Sequence, residues 1–205
     1  MNMSVRLSMD VELHQLSVLA PEGYSIGLHI RFTAPLFMFQ TYDASWLDHY
    51  TENGYVLRDP MVAWGFAATG TIRWSDPSLP DPFGLFKKAA EFGLTYGATV
   101  ACGPIKSRTI ASFARSDREF TESEIAAIAT IVRRLHDATE PPDELTKAQI
   151  EALKYIAGGD RIAAAAAKLG ISESALKARI TSARIRLMAR TTAEAIQRAK
   201  DYRLM

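Results

Sequence analysis

An acidic side chain set among aromatic rings offers the most specific chemistry in this sequence. Tyr42, Trp46 and Tyr50 are spaced by four residues, so along a helix and its entry they share one side. Asp59-Pro60 follows Tyr50 after a short gap, and Trp74 comes next. A carboxylate buried among such rings needs a hydrogen-bond donor, because an unpaired buried charge costs several kcal/mol. A ligand amide N–H could supply it. Tryptophan has only its indole N–H to give, so Trp46 suits a ligand carbonyl, whereas tyrosine donates or accepts. The same residues also fit a plain aromatic core, with Asp59 doing no more than opening a turn before Pro60. Both readings stand at this point.

Other chemistries find little support. An enzyme needs a nucleophile with a base, or a metal cluster. His14, His29, His49 and His136 are scattered with no partner spacing. Cys102 is the single cysteine, so it forms no internal disulfide, and in a strand-like segment it reads as a buried apolar residue. There is no glycine-rich phosphate loop. No catalytic residue and no metal ligand is assigned, and the expectation is a protein that is not an enzyme.

The elements that must position the aromatic residues are mixed. Strand signals, rich in β-branched and aromatic residues, run over Tyr24 to Phe32, Leu36 to Tyr42, Thr71 to Trp74, Ala98 to Ile105 and Thr109 to Ala114. Helices are expected at about 44–53 and 83–92. A third runs from a Thr121-x-x-Glu124 capping box to about His136, with Ile125, Ile128, Ile131 and Leu135 as its apolar face. Strands flanked by helices imply an α-β-α sandwich around a mainly antiparallel sheet, a layered fold that can hold a small apolar ligand between sheet and helices.

Beyond residue 144 the pattern becomes all helical. Thr146 and Gln149 form a capping box, Ile150, Leu153 and Ile156 share a face, and Gly158-Gly159 stops the helix. An alanine-rich helix spans Ile162 to Leu169 and ends at Gly170. Ser172 caps a third helix with Leu176, Ile180, Ala183 and Leu187 inward and Lys177, Arg179, Arg184 and Arg186 among its outward positions. Thr191 and Glu194 cap a fourth. A short helix, a Gly-Ile-Ser turn and a basic helix form a helix-turn-helix pattern, whose second helix would enter a DNA major groove. A plain four-helix bundle is the alternative.

The charge distribution supports this division. The 205 residues have a formal net charge of +1. Residues 1–144 hold 12 Lys+Arg and 18 Asp+Glu, whereas residues 145–205 hold 12 and 5. The positive half is where a nucleic-acid-binding module would show itself. The paired prolines 141 and 142 resist helix and mark a join. The expected domains are 1–137 and 145–205, with a linker at 138–144. A composition of 48% hydrophobic and 23% charged residues excludes a disordered chain. No apolar run approaches the ~20 residues of a membrane span. Arg6, Asp10 and Glu12 interrupt the start, so no signal peptide is expected and a cytoplasmic location is the default.

Both halves, in this order, resemble the LuxR-type quorum-sensing transcription regulators. In the C-terminal half the resemblance rests on Leu145-Thr146, Leu153, Ala157-x-Gly159, Leu169-Gly170-Ile171-Ser172-Glu173, Lys177, Leu187, Arg190-Thr191 and Ala195. In the N-terminal half it rests on Trp46-x-x-x-Tyr50, Asp59-Pro60, Trp74 and Gly97. It implies an autoinducer-binding and dimerisation domain followed by a helix-turn-helix DNA-binding domain. It further implies that an N-acyl-homoserine lactone is the signal ligand, with no other cofactor. Trp46 would donate to the lactone carbonyl, Asp59 would accept from the amide N–H, and Tyr42 would bond the amide carbonyl. Tyr50 and Trp74 would wall the pocket, and Ser112 would add a second polar contact. DNA contacts would fall on Ser172, Glu173, Ser174, Lys177, Ala178, Arg179, Thr181 and Arg184. The implied partners are palindromic promoter DNA, a second copy of the chain paired through the 122–136 helix, and RNA polymerase, with no membrane. The family usually has a Lys-Glu-Ile-Ala stretch where this chain has Ala163 to Ala166. That difference keeps open a mixed-dimer partner with weakened DNA binding, and a related protein sensing a different ligand or none.

Overall fold

Two-residue alternation along five strands sets the architecture of the first half. The computed structural model describes residues 3–30, 34–140, 145–202 and 204–205. It divides into two units, Ser4–Thr139 and Glu140–Met205. In the first, strands β1 (Tyr24–Ile30), β2 (Phe37–Gln40), β3 (Gly70–Arg73), β4 (Tyr96–Cys102) and β5 (Arg108–Arg115) form one sheet. Their order is β2-β1-β5-β4-β3, and every pairing is antiparallel.

One face of this sheet is mainly apolar. Tyr24, Ile26 and Leu28 of β1, Ala98 and Val100 of β4, and Ala111 and Phe113 of β5 point to the same side. There they pack against α1 (Met3–Leu19) and α5 (Glu122–Ala138). Helix α1 contributes Met9, Leu13 and Leu16, followed by Ala20 just beyond its end, at the spacing that keeps one helical face inward. Helix α5 contributes Ile125, Ile128, Ile131, Val132 and Leu135, and the Thr121–Glu124 capping box fixes its start. The intervening residues, Ser25, Gly27, Ile110 and Ser112 among them, face the other side. That side is covered by α2 (Ala44–Glu52), α3 (Pro60–Ala67) and α4 (Leu85–Ala90).

Strand β1 breaks the alternation once. Its register against β5 shifts between Gly27 and Ile30, and His29 there has φ of 52°, in the left-handed region. The extra residue reverses the faces: His29 turns to the α5 side, and Ile30 lines the opposite side.

All five expected strands are present, and the expected helices over 44–53, 83–92 and 121–136 lie within one or two residues of α2, α4 and α5. Strand β4 ends at Cys102, and Ile105–Ser107 forms a separate 3-10 turn. Residues 31–33, the end of the expected first strand, and residues 141–144, most of the expected linker, lie outside the described residues. The linker's first residue, Ala138, still belongs to α5. Helices α1 and α3 have no counterpart in the sequence reading.

The second unit consists of α6 (Lys147–Ala157), α7 (Ile162–Leu169), α8 (Glu173–Arg186) and α9 (Thr192–Asp201). Its caps are those the sequence indicates: Thr146 with Gln149, Ser172, and Thr191. Gly170 ends α7 at φ of 66°, a backbone conformation that costs a side chain energy and glycine little. Leu153, Leu176, Ala183 and Leu187 are fully buried between the helices. Among the described residues no helix is long and apolar enough to cross a membrane.

Because Ile128 is fully buried between α5 and the sheet, Ile128→Ala should leave a cavity. A loss of about 2–5 kcal/mol in stability is expected by urea unfolding.

Candidate functional site

Between the sheet and helices α2, α3 and α4 lies a cavity of about 430 Å³. Its lining is mainly apolar: Ile30, Met38, Val62, Phe66 and Ile110 at the level of the sheet's middle strands, and Leu85, Phe86 and Ala89 from α4. The polar groups on its walls are few. They include every ligand-binding residue the sequence singles out: Tyr42, Trp46, Tyr50, Asp59, Trp74 and Ser112.

Asp59 has two jobs. As the N-cap of α3 its Oδ1 accepts from the Met61 backbone N–H at 2.7 Å, so the turn before Pro60 is also present. Its Oδ2 accepts from the Tyr50 hydroxyl at 2.8 Å, which ties α2 to α3. Burial pushes the Asp59 carboxyl above its usual range, with a further push from Asp81. The hydrogen bonds from Tyr50 and from the Met61 and Val62 backbone pull against that rise. The Tyr50 hydroxyl is in turn pushed up, first by burial and then by the Asp59 charge. Tyr50 is therefore more than a wall, because it holds the carboxylate in place.

The other aromatic residues are anchored to the sheet or packed on each other. The Tyr42 hydroxyl donates to the Ser112 carbonyl at 2.8 Å, and burial, then the nearby Asp59, raises its pKa well above the ordinary tyrosine value. Its proton is thus already engaged, so an amide carbonyl could receive it only if Ser112 gave it up. The Trp74 indole N–H donates to Thr99 Oγ1 at 3.1 Å, and Thr99 shares a 2.9 Å hydrogen bond with Ser112 Oγ. Trp74 lies directly over Gly97, where a Cβ would come within 1.9 Å of the indole. Gly97 sits inside β4 rather than ahead of it, and it is needed for that approach. Trp46 is buried and packs edge-on to Tyr50 at 5.6 Å between centroids. Among the described residues its indole N–H has no acceptor, although it lines the cavity.

The sequence reading missed several lining residues. Ser25 and Gln40 lie on β1 and β2, and Met61, Val62 and Phe66 lie on α3. Ser25 and Thr99 stand directly opposite Ser112 across β1 and β4, a pairing that residue order alone does not give.

The histidines require a correction. His29 and His136 are far apart in sequence, yet their rings stack at 4.2 Å on the α5 side of the sheet. His29 Nδ1 meets Ser107 Oγ at 2.9 Å, and its Nε2 meets the His136 carbonyl at 2.9 Å. That carbonyl can only accept, so Nε2 carries a proton, and in the neutral ring Nδ1 accepts from Ser107. His136 Nδ1 meets Thr109 Oγ1 at 2.8 Å. The bulge in β1 makes this contact, and no linear spacing reveals it. Both histidines are buried and neither lines the cavity. Cys102 is half-buried rather than buried, and desolvation pushes its thiol up to about 11.

In the second unit the expected DNA-contacting residues cluster on α8. Ser172 Oγ accepts from the Ala175 N–H at 3.2 Å. Ser172, Glu173, Ser174, Lys177, Ala178 and Thr181 are exposed, and Arg179 and Arg184 are partly so. Lys177 lies 3.8 Å from Glu173, an exposed pair of little energetic weight.

Residues 22–139, the span that holds sheet and cavity, match the family model described as an autoinducer-binding domain. The chain belongs to the LuxR-type family of quorum-sensing regulators. Among its LuxR-type relatives is the HTH-type quorum-sensing regulator RhlR of Pseudomonas aeruginosa, 28% identical over 74% of this chain and 69% of the relative. The transcriptional activator RaiR of Rhizobium etli is 27% identical over 78% and 73%. A solved structure of SdiA in complex with octanoyl-rac-glycerol superposes with a TM-score of 0.51. It covers 95% of this chain and 88% of that one at 21% identity, which speaks for the fold. These LuxR-type relatives are regulators of transcription and not enzymes.

Because the Asp59 carboxyl sits above its unfolded value of 3.8, it stabilises the fold most when protonated, and that contribution is lost as pH rises through the folded value. Asp59→Asn should remove this component. Urea titrations at about pH 4 and about pH 7.5 should show wild type losing more stability across the interval than the variant. Equal losses would contradict the assignment.

Proposed function

We propose that this regulator binds an N-acyl-homoserine lactone in the 430 Å³ cavity and binds palindromic promoter DNA as a dimer through its C-terminal helices. The observation that carries the ligand reading is the unengaged Trp46 indole N–H beside an acid that still has lone pairs to offer. A lactone carbonyl accepts from Trp46, the ligand amide N–H donates to Asp59, and the acyl chain takes the apolar lining. Tyr50 orients Asp59, and Trp74 closes the wall over Gly97. Ligand bound only by the folded protein stabilises it by mass action. The acyl glycerol bound by SdiA supports a second ligand class, one with an acyl chain but no amide N–H.

For the second unit the reading is a helix-turn-helix, with α7 crossing the backbone and the α8 N-terminus entering the major groove. The sequence suggested pairing of the N-terminal domains through the 122–136 helix. The apolar stripe of α5 faces the sheet, so such pairing uses its outward residues, Ala126, Thr130 and Arg133. Exposed Ala163, Ala164 and Ala167 on α7 offer no polar group to a phosphate. That favours a second reading, a mixed-dimer partner with weakened DNA binding.

Two measurements test these assignments. Trp46→Phe and Asp59→Asn should each weaken acyl-homoserine lactone binding about ten- to a hundredfold by calorimetry. Unchanged affinity in both sinks the pocket assignment, and binding of octanoyl glycerol alone favours the second ligand class. In the other unit, Lys177→Ala and Arg179→Ala should each lower affinity for a selected palindromic duplex about fivefold or more, with a shallower salt dependence. Absence of any salt-dependent binding by wild type favours the mixed-dimer reading.

A further inference from the structure

The bulge in β1 touches two things at once, the cavity and the end of α5. Gly27 pairs with Ile110 and Ile30 with Arg108, so Leu28 and His29 together stand opposite Thr109. Gly27 and Ile30 line the cavity. Ile30 lies back across Gly27, where even a Cβ would come within 3.2 Å of Ile30 Cδ1. The isoleucine thus covers the cavity side of the bulge. His29, beside it, is fully buried on the opposite side of the sheet with a positive φ. A side chain keeps such a backbone conformation only where its surroundings enforce it.

The end of α5 supplies that enforcement. The His29 Nε2–H reaches the His136 carbonyl at 2.9 Å and Thr139 Oγ1 at 3.1 Å. The last carbonyls of a helix lack their regular partners, so the sheet provides one here. Thr139 Oγ1 donates in turn to the Leu135 carbonyl at 2.6 Å. Thr109 Oγ1 accepts from the His29 backbone N–H at 3.2 Å and meets His136 Nδ1 at 2.8 Å. Both histidines and Ser107, Thr109 and Thr139 are buried, so water cannot replace a bond that this clasp loses. The turn it holds, residues 135–139, is the last of the first unit, and the chain passes to the second at Glu140.

We propose that the β1 bulge transmits occupancy of the cavity to the last turn of α5, with His29 as the positioning residue. A ligand packed on Ile30 steadies the cavity side of the bulge, and His29 then keeps residues 135–139 helical. When the clasp opens, that turn frays. Four residues span about 6 Å as helix and up to about 13 Å extended, so the clasp sets how much slack chain precedes the second unit. The inference goes beyond the choice of ligand, because any occupant that packs on Ile30 has this effect.

Hydrogen exchange of the full chain, followed by NMR at residues 136–139, tests it. Without ligand, His29→Ala should speed exchange there about tenfold, while amides 128–132 earlier in α5 keep their rates and show that the variant folds. Ile30→Ala should speed residues 136–139 about threefold in the wild-type background and add nothing to His29→Ala. Should His29→Ala not fold, Thr139→Val, which strips one acceptor from the clasp and keeps its shape, should speed the same amides. N-octanoyl-homoserine lactone, at a concentration where calorimetry shows it bound, should slow them about threefold in wild type and leave them unchanged in His29→Ala. The proposal is overturned if these variants leave residues 136–139 at their wild-type rates, or if Ile30→Ala acts equally with and without His29. A bound lactone that does not alter these amides overturns it as well. If the lactone does not bind, the lactone reading has failed, and the Ile30 and His29 variants decide the bulge by themselves.

Discussion

A carboxylate placed beside an apolar cavity must be surrounded by donors, and much of the first unit is arranged to meet that demand at Asp59. Its two oxygens draw in the start of α3 through the Met61 N–H and the middle of α2 through the Tyr50 hydroxyl. Helices α2 and α3 are thereby held to one point. Tyr42 and Trp74 then fix the remaining walls to β5 and β4 through Ser112 and Thr99. The result is a polar end in which nearly every group is committed to another, with the Trp46 N–H as the exception. Such a site is preorganised: a ligand finds its contacts already oriented, and little ordering remains to be done on binding.

This arrangement also explains why Asp59 supports two readings at once. The bland one, an N-cap before Pro60, is correct for Oδ1. The chemical one concerns Oδ2 and the lone pairs left over. A capping carboxylate is usually exposed, whereas this one is held against a cavity by the apolar helix that it caps.

Local physics decides how much of this is legible in the sequence. The five strands show because each alternates β-branched or aromatic residues between turns, and α5 to α9 show because their caps and stripes coincide. Helix α3 does not, since PMVAWGFA is apolar throughout and presents no stripe, and its proline reads as a turn. Helix α1 is blurred by Val11 and Val18, which are exposed among its inward positions. The aromatic residues and Asp59 could be picked out by type and spacing. Ser25 could not, because a serine in a strand carries no signal until its partners across the sheet are known. The His29–His136 pair was invisible for a related reason. It depends on a bulge, and a bulge changes which face a residue sees without changing the residues themselves.

That bulge bears on how the gene can vary. Elsewhere in the sheet a substitution alters one contact, but a substitution that flattened the bulge between Gly27 and Ile30 would restore strict alternation over the same residues and invert the rest of the strand. The imidazole would be delivered to the cavity and the isoleucine to the hydroxyl-lined space beside α5, each in surroundings suited to the other. Deletion of one residue here would instead remove the bulge and keep the later residues on their present faces. The weak point of the strand is therefore the backbone at His29, whose positive φ a β-branched side chain would resist.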